Sequence, residues 1–425
     1  MRKAINSVMR RYRLITILGL LLLLLQPVLV AAAPLAERQV LENGLTLLVR
    51  SSRALPIVTI EVMVQSGSLW EQEGRAGLAN LTALLLTRGT ATRTAAQIDE
   101  SVDFIGASLS SSAGRDLSEL DLTVLKKDLP KGLELLADAL LHPAFDQGEI
   151  TRKVHELKAA LRKRQEDPGE VAQEVFDGLV FGGHPYGRPL EGREATLTAI
   201  TRDEIVGFYR DHYAPERTFV TVVGDVDRSE ITGQIRALLG SWPKGKATVK
   251  RATEPTPLQG KIVVKKVDRS VTQANIILGH QGIRRDNPDF YALTVMNYIL
   301  GGGGFSSRLV ERIREQKGWA YDVSSQFSPG LERGSFQVVL QTKNETAGPA
   351  IQEVVRELQK IREQGVTDQE LADAKAYLTG SFPLRLDTNA KLAGLISSVE
   401  YYTLGLDYAD RYRTLIDGIS KEDIL

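Results

Sequence analysis

Metal binding and proton transfer usually rely on imidazole, thiolate and carboxylate groups at short helical spacing, and this chain has few of them so arranged. It contains no cysteine, which removes thiolate metal sites and cysteine nucleophiles. Its five histidines, at positions 142, 155, 184, 212 and 280, include no pair three or four residues apart, so none share a helix face. Each reads as a surface or satisfied core histidine; His155, followed by Glu156, keeps a small place as a ligand candidate. Gly301–Gly304 looks at first like a phosphate loop. No Gly-Lys-Ser/Thr follows it, and the dinucleotide pattern with its acidic partner is absent. Four glycines after a helix more simply give a cap and a close-packed turn. The basic run Lys158–Arg164 is interrupted at helical spacing by Ala and Leu, so it reads as a solvated helix face. Tyr401, Tyr402, Tyr408 and Tyr412 read as packing residues.

The elements that would position chemical groups come in two similar runs. Arg38–Arg50 has an Asn-Gly turn inside alternating apolar residues and predicts a β-hairpin. Strands are expected at Ile57–Ser66, Ala107–Ala113, Ser118–Leu125 and Phe219–Gly224. Helices are expected at Arg75–Arg88, apolar on nearly every face, at Ala95–Ile105, Lys127–Leu141, Gln147–Asp167 and Ser229–Leu239, and at Thr201–Tyr213, which opens with the capping box Thr201/Glu204. Trp242–Lys261 is polar and rich in proline and lysine, and reads as a linker. The order then resumes, with strands Ile262–Val267, Gln273–His280, Tyr321–Ser328 and Gly334–Thr342. Helices are expected at Pro288–Leu300, Ser307–Gln316, Ala347–Gln364 and Asp368–Ser381. Strands and helices in runs, rather than strict alternation, predict an α+β fold with helices on one face of an antiparallel-rich mixed sheet. The expected division is a leader at 1–33, a first domain at 34–245, a linker at 246–261 and a second domain at 262–425.

Two stretches carry a resemblance. Gly77–Thr90 (GLANLTALLLTRGT) is similar to the zinc-site helix of the pitrilysin/insulinase metallopeptidases, whose pattern runs G-L-A-H-x-x-E-H-x-x-x-x-G-T. The frame residues Gly77, Leu78, Ala79, Gly89 and Thr90 fit it. The chemical positions do not: Asn80 and Leu84 stand where that family has ligand histidines, and Ala83 where it has the catalytic glutamate. The family's third ligand, a glutamate on the next long helix before Asp-Asp-Pro, falls at Ala160 when Arg152–Pro168 is anchored on Asp167–Pro168. Leu300–Val323 (LGGGGFSSRLVERIREQKGWAYDV) resembles the family's C-terminal signature over more than twenty positions, with one extra residue in the glycine stretch.

The resemblance implies two homologous sandwich domains closing like a clamshell. It implies that Arg314 and Tyr321 hold substrate backbone, and that Gly301–Gly304 has a secondary role in the cleft. A guanidinium fork donates well to a carbonyl, and a phenol stabilises an oxyanion. No metal is expected in this chain. Zinc is expected in a homologous partner subunit, the two forming a heterodimer that cleaves peptides at a composite site. The alternative is an inactive peptide-binding or scaffold protein.

Met1–Ala33 has the basic start, Leu-rich centre and small-residue end of a secretory signal peptide, which predicts export to a bacterial periplasm, or membrane anchoring if it is retained. The chain carries 53 basic and 53 acidic residues; five basic ones precede Ala33, leaving 48 against 53, which argues against nucleic acid as a partner. Ser420–Ile424 (SKEDI) echoes Thr201–Ile205 (TRDEI), yet no strand follows it as Phe219–Gly224 follows the first. The expectation is a second domain truncated by one strand and one helix.

Overall fold

Asn43 and Gly44 set the first turn. Gly44 takes a left-handed φ of 98°, and the Asn43 side chain donates to the Leu239 carbonyl (2.8 Å), so β1 (Glu37–Val40) and β2 (Thr46–Ser51) form the expected hairpin. A computed structural model describes residues 34–245, 254–256, 260 and 262–425; the proposed leader and most of the linker lie outside the described residues. The hairpin joins β3 (Ile57–Val64), β4 (Ser108–Ala113), β5 (Ser118–Leu125) and β6 (Thr218–Gly224) in one sheet of order β1-β2-β6-β3-β5-β4. The late strand β6 slots between β2, to which it is parallel, and β3, to which it is antiparallel. Every residue of β6 is buried.

The helices of this half are α1 (Leu78–Leu85), α2 (Ala95–Phe104), α3 (Leu129–Leu141), α4 (Gln147–Glu166), α5 (Pro168–Phe181), α6 (Glu194–Ala199), α7 (Arg202–His212) and α8 (Arg228–Leu239). Leu81 and Leu85 of α1 and Leu133 and Leu136 of α3 close over Ile60, Leu120, Leu122 and Val220 of the sheet as one apolar core.

The second half repeats this plan in part. β7 (Gln273–Gln281), β8 (Ala320–Ser328) and β9 (Ser335–Lys343) form an antiparallel sheet of order β7-β9-β8, matching β3-β5-β4. Its helices are α9 (Phe290–Asn297), α10 (Ala347–Gln364), α11 (Asp368–Gly380), α12 (Asn389–Tyr401), α13 (Tyr408–Asp417) and α14 (Lys421–Ile424). Two expected α-helices are partly or wholly π-helical: α9 passes into a π turn at Tyr298–Gly302, and Val310–Gln316 is a second π segment.

Ile262–Val267, expected as a strand, joins no ladder. It carries no regular secondary structure, and Ile262 and Val264 are 96% and 84% exposed. The cause is the absence of a neighbour. In the first sheet the corresponding strand β2 reaches the rest of the sheet only through β6, and no described strand fills that place here.

Leu35–Leu425 forms one unit because the halves exchange helices. Helix α12, from late in the chain, lies on β3 and β6, while α5, from the first half, lies on β7. At the first crossing the Ser397 hydroxyl lies 2.9 Å from both Glu61 and Thr221, Arg38 holds Glu400 (2.9 Å), and Asn389 donates to the Ile57 carbonyl (3.1 Å). At the second, Gln173 bonds Gln337 (3.1 Å).

Candidate functional site

Helix α1 shows why a motif frame can outlast its chemistry. Gly77 caps it with a left-handed φ of 94°, and a Cβ there would lie 2.8 Å from the Glu191 carbonyl, so only glycine fits. The buried Glu71 carboxylate accepts the N–H groups of Gly77 (3.1 Å) and Ala79 (2.8 Å) and caps the helix; burial pushes its pKa up to about 8. At the far end Gly89 is again left-handed, and the Thr90 hydroxyl donates to Asp138 (2.8 Å), which Arg93 also holds. These frame residues shape the two ends of the helix and its following turn through backbone geometry and capping contacts.

Between them, Ala83 is fully buried and its carbonyl accepts from Ser111 on β4 (2.7 Å). Asn80 is also buried, and Leu84 is half-buried. Helix α4, which carries Ala160, packs against α1, so the elements that would build a metal site do meet. Ala160 and its neighbour Ala159 are exposed, beside the stripe Val154, Leu157 and Leu161 that faces the core. His155 is exposed on the same helix, and the adjacent Glu156 is engaged by Arg152 (2.5 Å) and Lys153 (2.6 Å).

The second group is on the surface. Tyr321 is the extra residue of a β-bulge: Ala320 pairs with Thr342 and Asp322 with Gln341, leaving Tyr321 unmatched and 78% exposed. Arg314, in the π segment Val310–Gln316, stacks its guanidinium 5.3 Å from the Tyr321 ring centre. The Phe305 ring, 72% exposed, covers the guanidinium at 4.7 Å. Glu315, at 3.6 Å, is the nearest acid to Arg314. Arg308 has a different role. It is largely buried and bonds Glu370 at 2.6 and 2.7 Å, which holds that carboxyl down to about 2. The arginines of this stretch therefore divide into a structural anchor and an aromatic-flanked cation.

The glycines before them serve close packing. A Cβ on Gly301 would lie 2.6 Å from the Ser325 hydroxyl, and one on Gly303 would lie 2.6 Å from the Tyr298 carbonyl. Gly304 takes a left-handed φ of 56° and turns Phe305 outward. Phe305 escaped the sequence reading; its one signal was a bare aromatic between glycine and serine in an otherwise polar turn.

The comparisons with known proteins agree with this geometry. The insulinase (peptidase family M16) model matches residues 46–194, and the peptidase M16 inactive-domain model matches residues 199–378. An uncharacterized zinc protease of Mycobacterium bovis is 30% identical, covering 86% of this chain and 84% of its own length. The chain belongs to the M16 insulinase family. A further relative is an uncharacterized zinc protease of Streptomyces coelicolor, 29% identical over 86% of this chain and 80% of its own. Among solved structures, an M16 inactive domain from Pseudomonas fluorescens superposes with a TM-score of 0.86 at 27% identity, covering 92% and 93% of the two chains. A protease from Helicobacter pylori shares the fold, with a TM-score of 0.85 at 22% identity over 92% and 95%.

Family membership raises the question whether the residues at the motif positions fit zinc. Zinc takes imidazole, thiolate or carboxylate ligands. The positions that the resemblance sets against the family's ligands and base offer an amide (Asn80), an isobutyl group (Leu84) and two methyls (Ala83, Ala160), which do not fit the ion. Among the described residues no group of three or more His, Cys, Asp or Glu is placed to hold a metal.

Proposed function

We propose that this protein is the metal-free subunit of a two-chain M16 peptidase, exported to the periplasm and paired with a zinc-bearing homologue. The partner would bring the metal, its ligands and the base. This chain would bring Arg314 and Tyr321 to hold an extended peptide, the guanidinium donating to a backbone carbonyl and the phenol to the oxyanion that forms. The observation that supports the reading is one contrast. The metal-type positions are filled by groups that do not suit zinc, while Arg314 lies half-buried between two aromatic rings, with Glu315 at 3.6 Å as its nearest acid.

The test is reconstitution. The chain alone should neither cleave peptides nor hold stoichiometric zinc, and adding the partner should produce cleavage. In the pair, Arg314→Ala should lower kcat/KM by about 100-fold or more. Full activity and zinc in the lone chain would sink the proposal, as would normal turnover by the Arg314→Ala pair.

A second reading, a peptide-binding or scaffold protein without turnover, is supported by the same lack of zinc donors at Asn80, Ala83, Leu84 and Ala160. On that reading, peptide binding persists and no homologue restores cleavage.

A further inference from the structure

Three arginines follow the glycine turn, at 308, 312 and 314, and they differ in what holds them. Arg308 bonds the Glu370 carboxylate at 2.6 and 2.7 Å, and Arg312 donates to Gln316 (2.7 Å). The Arg314 guanidinium makes no hydrogen bond among the described residues, and Glu315, at 3.6 Å, is beyond hydrogen-bond range. Its other neighbours are rings, Phe305 centred at 4.7 Å and Tyr321 at 5.3 Å, both within reach of cation–π attraction. A long side chain without a hydrogen-bonded anchor samples many rotamers, and a ligand that used it would have to freeze them.

Phe305 is placed for this contact and for no other. The residue is mostly exposed, joins none of the apolar clusters and touches no other ring among the described residues. The turn beneath it is nevertheless stiff. Gly304 is left-handed, and its carbonyl accepts both the hydroxyl (2.6 Å) and the N–H (3.0 Å) of the buried Ser307. The Gly303 N–H donates to the Tyr298 carbonyl (2.8 Å). A fixed turn therefore presents a ring that the core does not use to a cation that no acceptor holds.

The chemistry of a ring suits that task. A carboxylate would hold the guanidinium but occupy its donors, as Glu370 does with Arg308. A ring face attracts the cation and offers no lone pair, so the N–H groups stay available. We infer that Phe305 is a positioning residue for Arg314, its ring restraining the guanidinium while leaving its donors open to a peptide carbonyl. This role rests on the reading of Arg314 as a peptide-binding group.

The test has two arms. In the full chain with isotope-labelled arginine, the Phe305 ring current should displace the Arg314 Nε–H signal upfield, Arg314→Lys identifying that signal. Phe305→Leu, apolar but without a π face, should move it back, and Phe305→Tyr should keep it. Thermal melts should not change, since the ring joins no cluster. In the pair with the zinc-bearing homologue, cleaving a quenched fluorescent peptide, Phe305→Leu should raise KM about tenfold and leave kcat within about twofold, the mark of a lost ground-state contact. Phe305→Tyr should restore KM. A pair that does not cleave, or that turns over normally with Arg314→Ala, overturns the reading of Arg314 and this role with it. With Arg314 shown to be needed, three results would overturn the role of Phe305 alone. These are an unchanged KM in Phe305→Leu, a raised KM that Phe305→Tyr does not repair, and an Arg314 signal indifferent to Phe305→Leu.

Discussion

The first half of the molecule is closed and the second is open. Six strands, with β6 at the centre, bury the first sheet, and the helix that resembles a catalytic motif is sealed inside it as core. Among the described residues three strands make the second sheet, and Arg314, Tyr321 and Phe305 lie at the surface of that half. In the closed half, motif residues are held by helix geometry; in the open half, side chains are displayed in ways packing does not require. Resemblance at a frame position therefore reports on fold, whereas Arg314 between its two rings is held by contacts that the fold does not need.

Gly77→Val would break this comparison most severely. It adds a Cβ against the Glu191 carbonyl and a branched side chain at left-handed φ, and should destabilise the fold by about 3 kcal/mol or more in urea titration. A variant with wild-type stability but impaired peptide handling would mean that the frame is functional after all.

Next comes a pair of arginines. Arg308→Ala strips a largely buried Glu370 contact and should cost about 2–3 kcal/mol, whereas Arg314→Ala should leave stability within about 0.5 kcal/mol. Equal losses in thermal melts would erase the distinction between anchor and displayed cation.

The smallest effect concerns the seam between the halves. Burial beneath α12 pushes the Glu61 pKa up to about 7 despite the Ser397 hydroxyl, with Asp121 and Glu119 on β5 adding repulsion; Asp121 itself lies at about 6. Both folded-state values exceed the unfolded ones. Their contribution is therefore full at about pH 4 and is lost as pH rises through 6 to 7. Unfolding free energy should fall by about 1–3 kcal/mol between pH 5 and 8, and Glu61→Gln should flatten that slope. A pH profile identical in the variant would remove Glu61 as its source.

Local signals were legible in the sequence. The Asn43–Gly44 hairpin, the capping box at Thr201 and the apolar run of α1 each depend on near neighbours, and each is found where expected. What was missed depends on distant ones. Helix α5, which no expectation covered, begins at Pro168, and Asp167 caps it (2.7 Å to the Gly169 N–H). Part of its apolar side, like part of that of α12, is covered by the other half's sheet. Ile262–Val267 has strand composition but no partner, and composition cannot supply a ladder. Phe305 became visible only when the fold set its ring over Arg314.

The exchange of α5 and α12 also sets an order of events during synthesis. The face of β3 and β6 that receives Ser397 is complete once Gly224 is made, yet its cover is not finished until Tyr401. At about 5–20 residues per second, that interval is roughly 10–35 s. Throughout it Glu61 and its neighbours face solvent. The nascent first half is therefore a lidless sheet, ionised at neutral pH, that matures only once Tyr401 has followed it.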